Sequence, residues 1–143
     1  MTRRLGCCFF SLTAVFAGSF AVPRLQAAEV IVEKDIVYGT GGTKQLKLNL
    51  ARPEQANGLL PGLVFIHGGG WTGGDRKVYD HEIQNAARHG YVAVTIAYRL
   101  TDPDQSKKPR NPFPAQIEDV KCAIRWLRAN AEKYHVDIVF LEL

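Results

Sequence analysis

The residues best suited to chemistry lie in one short run, Leu63-Val64-Phe65-Ile66-His67-Gly68-Gly69-Gly70-Trp71. Four apolar residues read as a buried strand, and the three glycines read as a loop at its carboxyl end. Without a Cβ, such a loop can turn backbone N–H groups towards a ligand and approach it closely. Amides arranged in that way can hold the negative oxygen that develops in acyl transfer. A tight turn with no function is the competing reading, but a turn rarely needs three glycines in succession. Gly69 and Gly70 are therefore the candidate oxyanion donors, and His67, Gly68, Trp71 and Asp75 are candidates for supporting the loop.

Other constellations fail on spacing. His81-Glu82-Ile83-Gln84-Asn85 has an asparagine where a zinc-protease helix carries its second histidine. His67, His81, His89 and His135 share no zinc spacing, and each reads as a surface or capping residue. Gly39-Thr40-Gly41-Gly42-Thr43-Lys44 has neither the glycine spacing nor the strand-to-helix setting of a phosphate loop, so it reads as a hairpin turn. Asp75 could brace the glycine loop or simply be solvated. Arg99 could hold the loop architecture by hydrogen bonds or be exposed. Glu118 and Asp119 read as the polar face of a helix start, favoured there by the helix dipole. Cys122 reads as a small, partly buried residue rather than a reactive thiol.

The elements that must position the loop follow from periodicity. Val30–Val37 and Gln45–Leu50 flank the glycine cluster and predict a β-hairpin. Leu63–Ile66, a helix over Tyr79–His89 ended by Gly90, and the β-branched run Tyr91–Tyr98 predict a βαβ unit with a parallel sheet. Thr101–Pro112 is polar and proline-bearing, hence a surface loop. Pro114 suits the first turn of a second helix. Ile117, Val120, Ile124, Leu127 and Ala131 recur at helical spacing, with Tyr134 as an extension and Lys121, Arg125, Arg128 and Glu132 on the wetter side. Ile138–Leu141 could start a further strand.

The 143 residues allow one domain. Lys and Arg number 18 against 14 Asp and Glu, but Arg3, Arg4 and Arg24 fall in the first 28 residues, which hold no acid. Without that segment the balance is +1, and no basic stripe suggests nucleic acid. Residues 1–28 are expected to be a secretory signal peptide: two arginines, an apolar stretch from Leu5 to Val22, then Leu25-Gln26-Ala27 before a cut. The alternative is an uncleaved anchor. Gly6, Ser11, Thr13, Gly18 and Ser19 make the run weak for a membrane span, and no stable span is expected once the segment is removed. Twin-arginine export is suggested by Thr2-Arg3-Arg4 but lacks the expected hydrophobic follow-up. The expected location is periplasmic or extracellular. Cys7 and Cys8 would leave with the segment, so Cys122 has no internal disulfide partner.

His67-Gly68-Gly69-Gly70-Trp71, Gly74-Asp75, Tyr91-Val92-Ala93-Val94, Tyr98-Arg99-Leu100 and Phe113-Pro114-Ala115-Gln116-Ile117-Glu118-Asp119-Val120 together resemble the α/β-hydrolase esterase/lipase family. The nearest pattern is that of bacterial carboxylesterases with acetyl- and feruloyl-esterase-like members. The resemblance covers about residues 30–137. It implies an α/β fold, an incomplete α/β-hydrolase sheet over residues 29–143, with the amides of Gly69 and Gly70 in the oxyanion hole and His67 as a loop-shaping residue. Trp71 would pack the loop or touch the acyl side. The implied substrate is a small ester or acylated carbohydrate, with no metal or organic cofactor. The family pattern next expects a Gly-x-Ser-x-Gly nucleophile elbow, with the triad acid and histidine after it. No such motif occurs here. Ser11, Ser19 and Ser106 are the serines, and none has flanking glycines at that spacing. Loss of the nucleophile in a serine hydrolase costs on the order of 10⁶ in kcat. The expectation is an N-terminal part of a secreted serine esterase, inactive alone, with a non-catalytic remnant or interaction fragment as the alternative.

Overall fold

The computed structural model describes residues 29–102 and 109–142. The expected signal peptide with Cys7 and Cys8, Ser106, and the middle of the loop 101–112 lie outside the described residues.

Alternation of apolar and polar residues builds one mixed sheet. Strands β1 (Val30–Gly41) and β2 (Lys44–Pro53) form the expected antiparallel hairpin, turning at Gly42 with a φ of 62° that suits glycine. Strand β3 (Leu60–Ile66), helix α1 (Asp80–Arg88) and strand β4 (Val92–Ile96) form the expected βαβ unit, with β3 and β4 parallel. Helix α2 (Ala115–Ala129) and the short α3 (Ala131–Tyr134) lead to β5 (Val136–Glu142), which runs parallel to β3. The strand order is β1-β2-β4-β3-β5.

Successive side chains point to opposite faces of the sheet, and the core divides accordingly. Leu46, Leu48 and Leu50 of β2, Val64 of β3, and Val92, Val94 and Ile96 of β4 face α2, where they meet Ala123, Leu127 and Tyr134. The intervening Ala51 and Ala93 face α1 and pack on Ile83 and Ala87. Both faces of the inner strands are covered, which explains the unbroken run Val92–Ile96 in which every residue is buried.

One expectation about α2 needs correction. The seam against the fold consists of Ala115, Gln116, Asp119, Ala123 and Leu127. Ile117 is 38% exposed, and Val120 and Ile124 are only partly covered. Gln116 and Asp119 of this seam are bonded to the segment after β4, so of the stripe read from periodicity Leu127 lies in the core while Ile117, Val120 and Ile124 stand at its margin. Among the described residues, no helix is long and apolar enough to cross a membrane.

Candidate active site

The parallel strand β3 delivers His67 to the carboxyl end of the sheet, and the glycine loop follows. His67 is buried, which corrects the expectation of a surface or capping residue. Its ring stacks on Tyr98, with centroids 4.3 Å apart and planes 13° from parallel. The Tyr98 hydroxyl donates to the His67 carbonyl at 2.7 Å. His67 Nδ1 lies 2.9 Å from the Gly68 carbonyl. A carbonyl can only accept, so Nδ1 carries the proton in this contact.

The backbone then takes conformations that favour glycine. Gly69, Gly70 and Gly74 have φ of 123°, 58° and 105°, and Trp71 shares the left-handed region at 64°. Space is as restrictive as φ at two of these positions. A Cβ on Gly69 would stand 2.3 Å from the Gly73 carbonyl oxygen, and one on Gly74 would stand 2.4 Å from the Gly68 oxygen and 2.2 Å from His67 Nδ1. A Cβ on Gly70 would meet nothing within 4 Å.

The carbonyls of Gly69 and Trp71 are occupied. Gly69 O accepts from the amides of Thr72 and Gly73, both at 3.1 Å, and from the Thr72 hydroxyl at 3.3 Å. Trp71 O accepts from Thr101 N at 2.8 Å. Neither the Gly69 nor the Gly70 N–H meets an acceptor among the described residues. Their direction follows from the peptide group. In a trans peptide the carbonyl and the next N–H point opposite ways, and the cis bond recorded here is Phe113–Pro114. Gly68 O turned to His67 aims the Gly69 N–H away from that ring, and Gly69 O turned into the loop aims the Gly70 N–H out of it.

Those amides border a groove of about 460 Å³, lined by Ile66, His67 to Trp71, Tyr98, Gln116, Ile117, Val120, Lys121 and Ile124. Trp71 stacks on Phe113 at 5.7 Å along the rim, both rings substantially exposed. A second, polar pocket of about 550 Å³ lies on the Thr72 side, lined by the Gly41–Lys44 turn, residues 99–102, Arg110 and Asn111.

Two polar assemblies hold the loop from outside. After β4, Arg99 grips Asp119 with Nη2–Oδ1 at 2.7 Å and Nε–Oδ2 at 2.9 Å, while its amide donates to Oδ2 at 2.8 Å. Asp119 is buried. Arg99 thus holds the architecture by hydrogen bonds, and Asp119, expected on a polar helix face, is its buried partner. Glu118 stays exposed and reaches Arg99 at 3.4 Å. On the α1 side, Arg76 is buried at the end of the loop. Its Nε donates to Asn49 Oδ1 at 3.2 Å, its guanidinium pairs with Asp35, and its carbonyl accepts from Thr95 Oγ1 at 2.8 Å. Asn49 in turn donates to Asp80 at 2.7 Å. Asp75 accepts from Lys77 N at 2.8 Å and so caps the 3-10 turn Arg76–Tyr79 rather than bonding to the glycines. Cys122 is half-buried, with its thiol 3.8 Å from Tyr38 O.

Asn49, Arg76 and Gln116 were missed by sequence reasoning. A polar residue alternating with leucines in β2 reads as solvated, and nothing local reveals that α1 covers that face. Among the described residues, no group of three His, Cys, Asp or Glu could hold a metal ion.

This architecture matches part of an α/β-hydrolase fold. The model of the BD-FAE family matches residues 48–143, and the chain belongs to that family. Esterase LipQ of Mycobacterium tuberculosis is 35% identical over 111 residues, covering 76% of this chain and 25% of LipQ. Arylacetamide deacetylase of Bos taurus is 30% identical over 120 residues, covering 80% of this chain and 28% of that protein. The solved structure of a bacterial heroin esterase superposes with a TM-score of 0.65 at 26% identity, over 83% of this chain and 36% of that one. The chain spans about a quarter of the length of the curated relatives it matches.

Proposed function

We propose that this chain supplies the oxyanion-binding side of a serine carboxylic-ester hydrolase. In this reading the N–H groups of Gly69 and Gly70 bind the carbonyl oxygen of a small ester or acylated carbohydrate and stabilise the negative charge that forms on attack. Each such donor is typically worth about 2.7–4 kcal/mol of transition-state stabilisation. The observation that carries the reading is the pair of unpaired amides beside an apolar groove, in a loop where the carbonyls of Gly68 and Gly69, which share their peptide groups, are engaged elsewhere. Membership of an esterase family supports it. His67, Gly68 and Trp71 act as loop supports, and Asp75 fixes the turn that follows.

Attack on the carbonyl requires a serine in a nucleophile elbow, and these 143 residues contain no Gly-x-Ser-x-Gly. The proposal therefore separates binding from turnover. The purified chain should bind a methyl ester with shifts in the Gly69 and Gly70 amide resonances. It should hydrolyse p-nitrophenyl acetate no faster than a heat-denatured control. Titration that moves resonances elsewhere but leaves both glycine amides unchanged rejects the binding assignment. Residues 1–28 are proposed to export the chain. Expression in a bacterial host with amino-terminal sequencing of the periplasmic material tests this, and retention of Met1 in a purely cytoplasmic product rejects it.

A further inference from the structure

The apolar groove has two walls from different elements. The glycine loop supplies one, ending at Trp71, and α2 supplies the other through Ile117, Val120 and Ile124. The stack of Trp71 on Phe113 joins them at the rim, but both rings are exposed, which leaves that contact open to water. A second link runs through Thr101. Its amide donates to the Trp71 carbonyl at 2.8 Å. Its hydroxyl oxygen accepts from Gln116 Nε2 at 2.8 Å, and the hydroxyl donates to the Asn111 carbonyl at 3.0 Å. Gln116 lies in the first turn of α2, is 2% exposed and also donates to Asn111 O at 2.9 Å. The Asn111 carbonyl can only accept, so the branch of Gln116 beside it is the NH2 group. Arg99 ties α2 to the same segment through Asp119, but the bond to the loop is made by residue 101.

A ligand that touches one wall is indifferent to how the two walls stand to each other. A ligand that spans both must find them in place or order them itself, and the cost of ordering is subtracted from its affinity. We infer that Gln116 and Thr101 are positioning residues. Together they hold the α2 wall in register with the loop wall, and through them the groove favours esters whose acyl chain is long enough to touch both. The inference rests on the oxyanion assignment proposed above, which puts the ester carbonyl at Gly69 and Gly70, and adds to it the length of the acyl group.

The test uses methyl propanoate and methyl hexanoate, titrated into the isotope-labelled full chain and followed by amide resonances. The readout is the ratio of the two affinities within each protein. Gln116→Met keeps the volume and removes the donor together with the partnerless Oε1, while Asn111 O keeps the Thr101 hydroxyl. Thr101→Val keeps the amide that holds Trp71 and removes the hydroxyl. Each should lower the advantage of the hexanoate about fivefold, the worth of one neutral hydrogen bond. The double variant should lower it no further, because both changes break one link, whereas two unrelated structural losses would multiply. The native chain gives a reading that needs no variant. Coupling is reciprocal, so saturating hexanoate should slow hydrogen exchange of the Thr101 amide about fivefold more than saturating propanoate does. An unchanged ratio in both single variants, multiplied losses in the double variant, or equal Thr101 exchange under the two esters overturns the inference and leaves the oxyanion assignment intact. Where a variant does not fold, the exchange comparison decides. Esters that bind without shifting Gly69 or Gly70 overturn the oxyanion assignment instead, and failure of both esters to bind overturns both.

Discussion

The two sides of the glycine loop are built on opposite rules. On the inner side the carbonyls of His67, Gly68, Gly69 and Trp71 all accept hydrogen bonds, the His67 ring lies flat on Tyr98, and no room exists for a methyl group at Gly69 or Gly74. On the outer side the Gly69 and Gly70 amides have none, Gly70 has open space around it, and Trp71 and Phe113 stand in solvent. The peptide groups that join Gly68 to Gly69 and Gly69 to Gly70 create both sides, because fixing their carbonyls inward fixes the following N–H outward. Rigidity behind is what makes the free donors in front directional. A ligand then meets amides that need no reorganisation, which is the condition under which such donors stabilise a developing charge.

The largest test of that contrast attacks the frame behind the loop. Asp119 is buried and accepts from three donors of Arg99, its amide, Nε and Nη2, and residue 101 of the same segment bonds to Trp71 O. Asp119→Ala leaves the guanidinium with only the exposed Glu118 carboxylate and should cost about 3 kcal/mol, read from urea denaturation. A loss below about 1 kcal/mol would mean that the clamp is incidental to the fold. A paired substitution then compares the two sides directly. Gly74→Ala places a methyl group against His67 and Gly68 O at a positive φ and should cost about 2–4 kcal/mol. Gly70→Ala meets only the backbone penalty and should cost about 1–2 kcal/mol. Equal losses at the two positions would erase the distinction between a packed back and an open front.

Sequence reasoning reached the skeleton of this arrangement because the skeleton is written in local pattern. The alternation of Gln45–Leu50, the apolar run before His67 and the glycine ending α1 each report a backbone state that neighbouring residues determine. The glycines themselves were legible for the same reason, since Gly69 and Gly70 announce conformations that other residues avoid. What stayed hidden depends on tertiary partners. Asp119 reads as a surface acid until Arg99, twenty residues earlier, is brought against it. Asn49 reads as the wet side of a strand until α1 and Arg76 cover it. His67 offers no cue to its burial, because the ring that covers it belongs to Tyr98 on the adjacent strand's extension. In α2 the periodic stripe located the helix but not its rotation, since the buried seam includes Gln116 and Asp119, the residue types that periodicity assigns to water.

The smallest effect isolates one bond of the packed side. Tyr98→Phe keeps the ring against His67 and removes only the hydroxyl that donates to the His67 carbonyl at 2.7 Å. The expected loss near neutral pH is about 1 kcal/mol, measured by thermal or urea unfolding. Alkaline pH sharpens the same comparison. Burial pushes the Tyr98 phenol above its ordinary value of 10.0, and burial followed by the nearby Asp119 carboxylate does the same for Tyr38, whose hydroxyl donates to Ala97 O at 2.7 Å. The folded chain therefore holds these protons where the unfolded chain has released them. Their contribution to stability is complete below pH 10 and declines as pH climbs above 10 towards the higher folded-state values. Tyr98→Phe should flatten that decline, and Tyr38→Phe should flatten it further, since its phenol is displaced the more strongly of the two. The part of the phenolate absorbance that Tyr98→Phe removes should rise together with unfolding. If that part rises well before the fold is lost, the Tyr98 hydroxyl is open to base, and the packed side of the loop is not sealed.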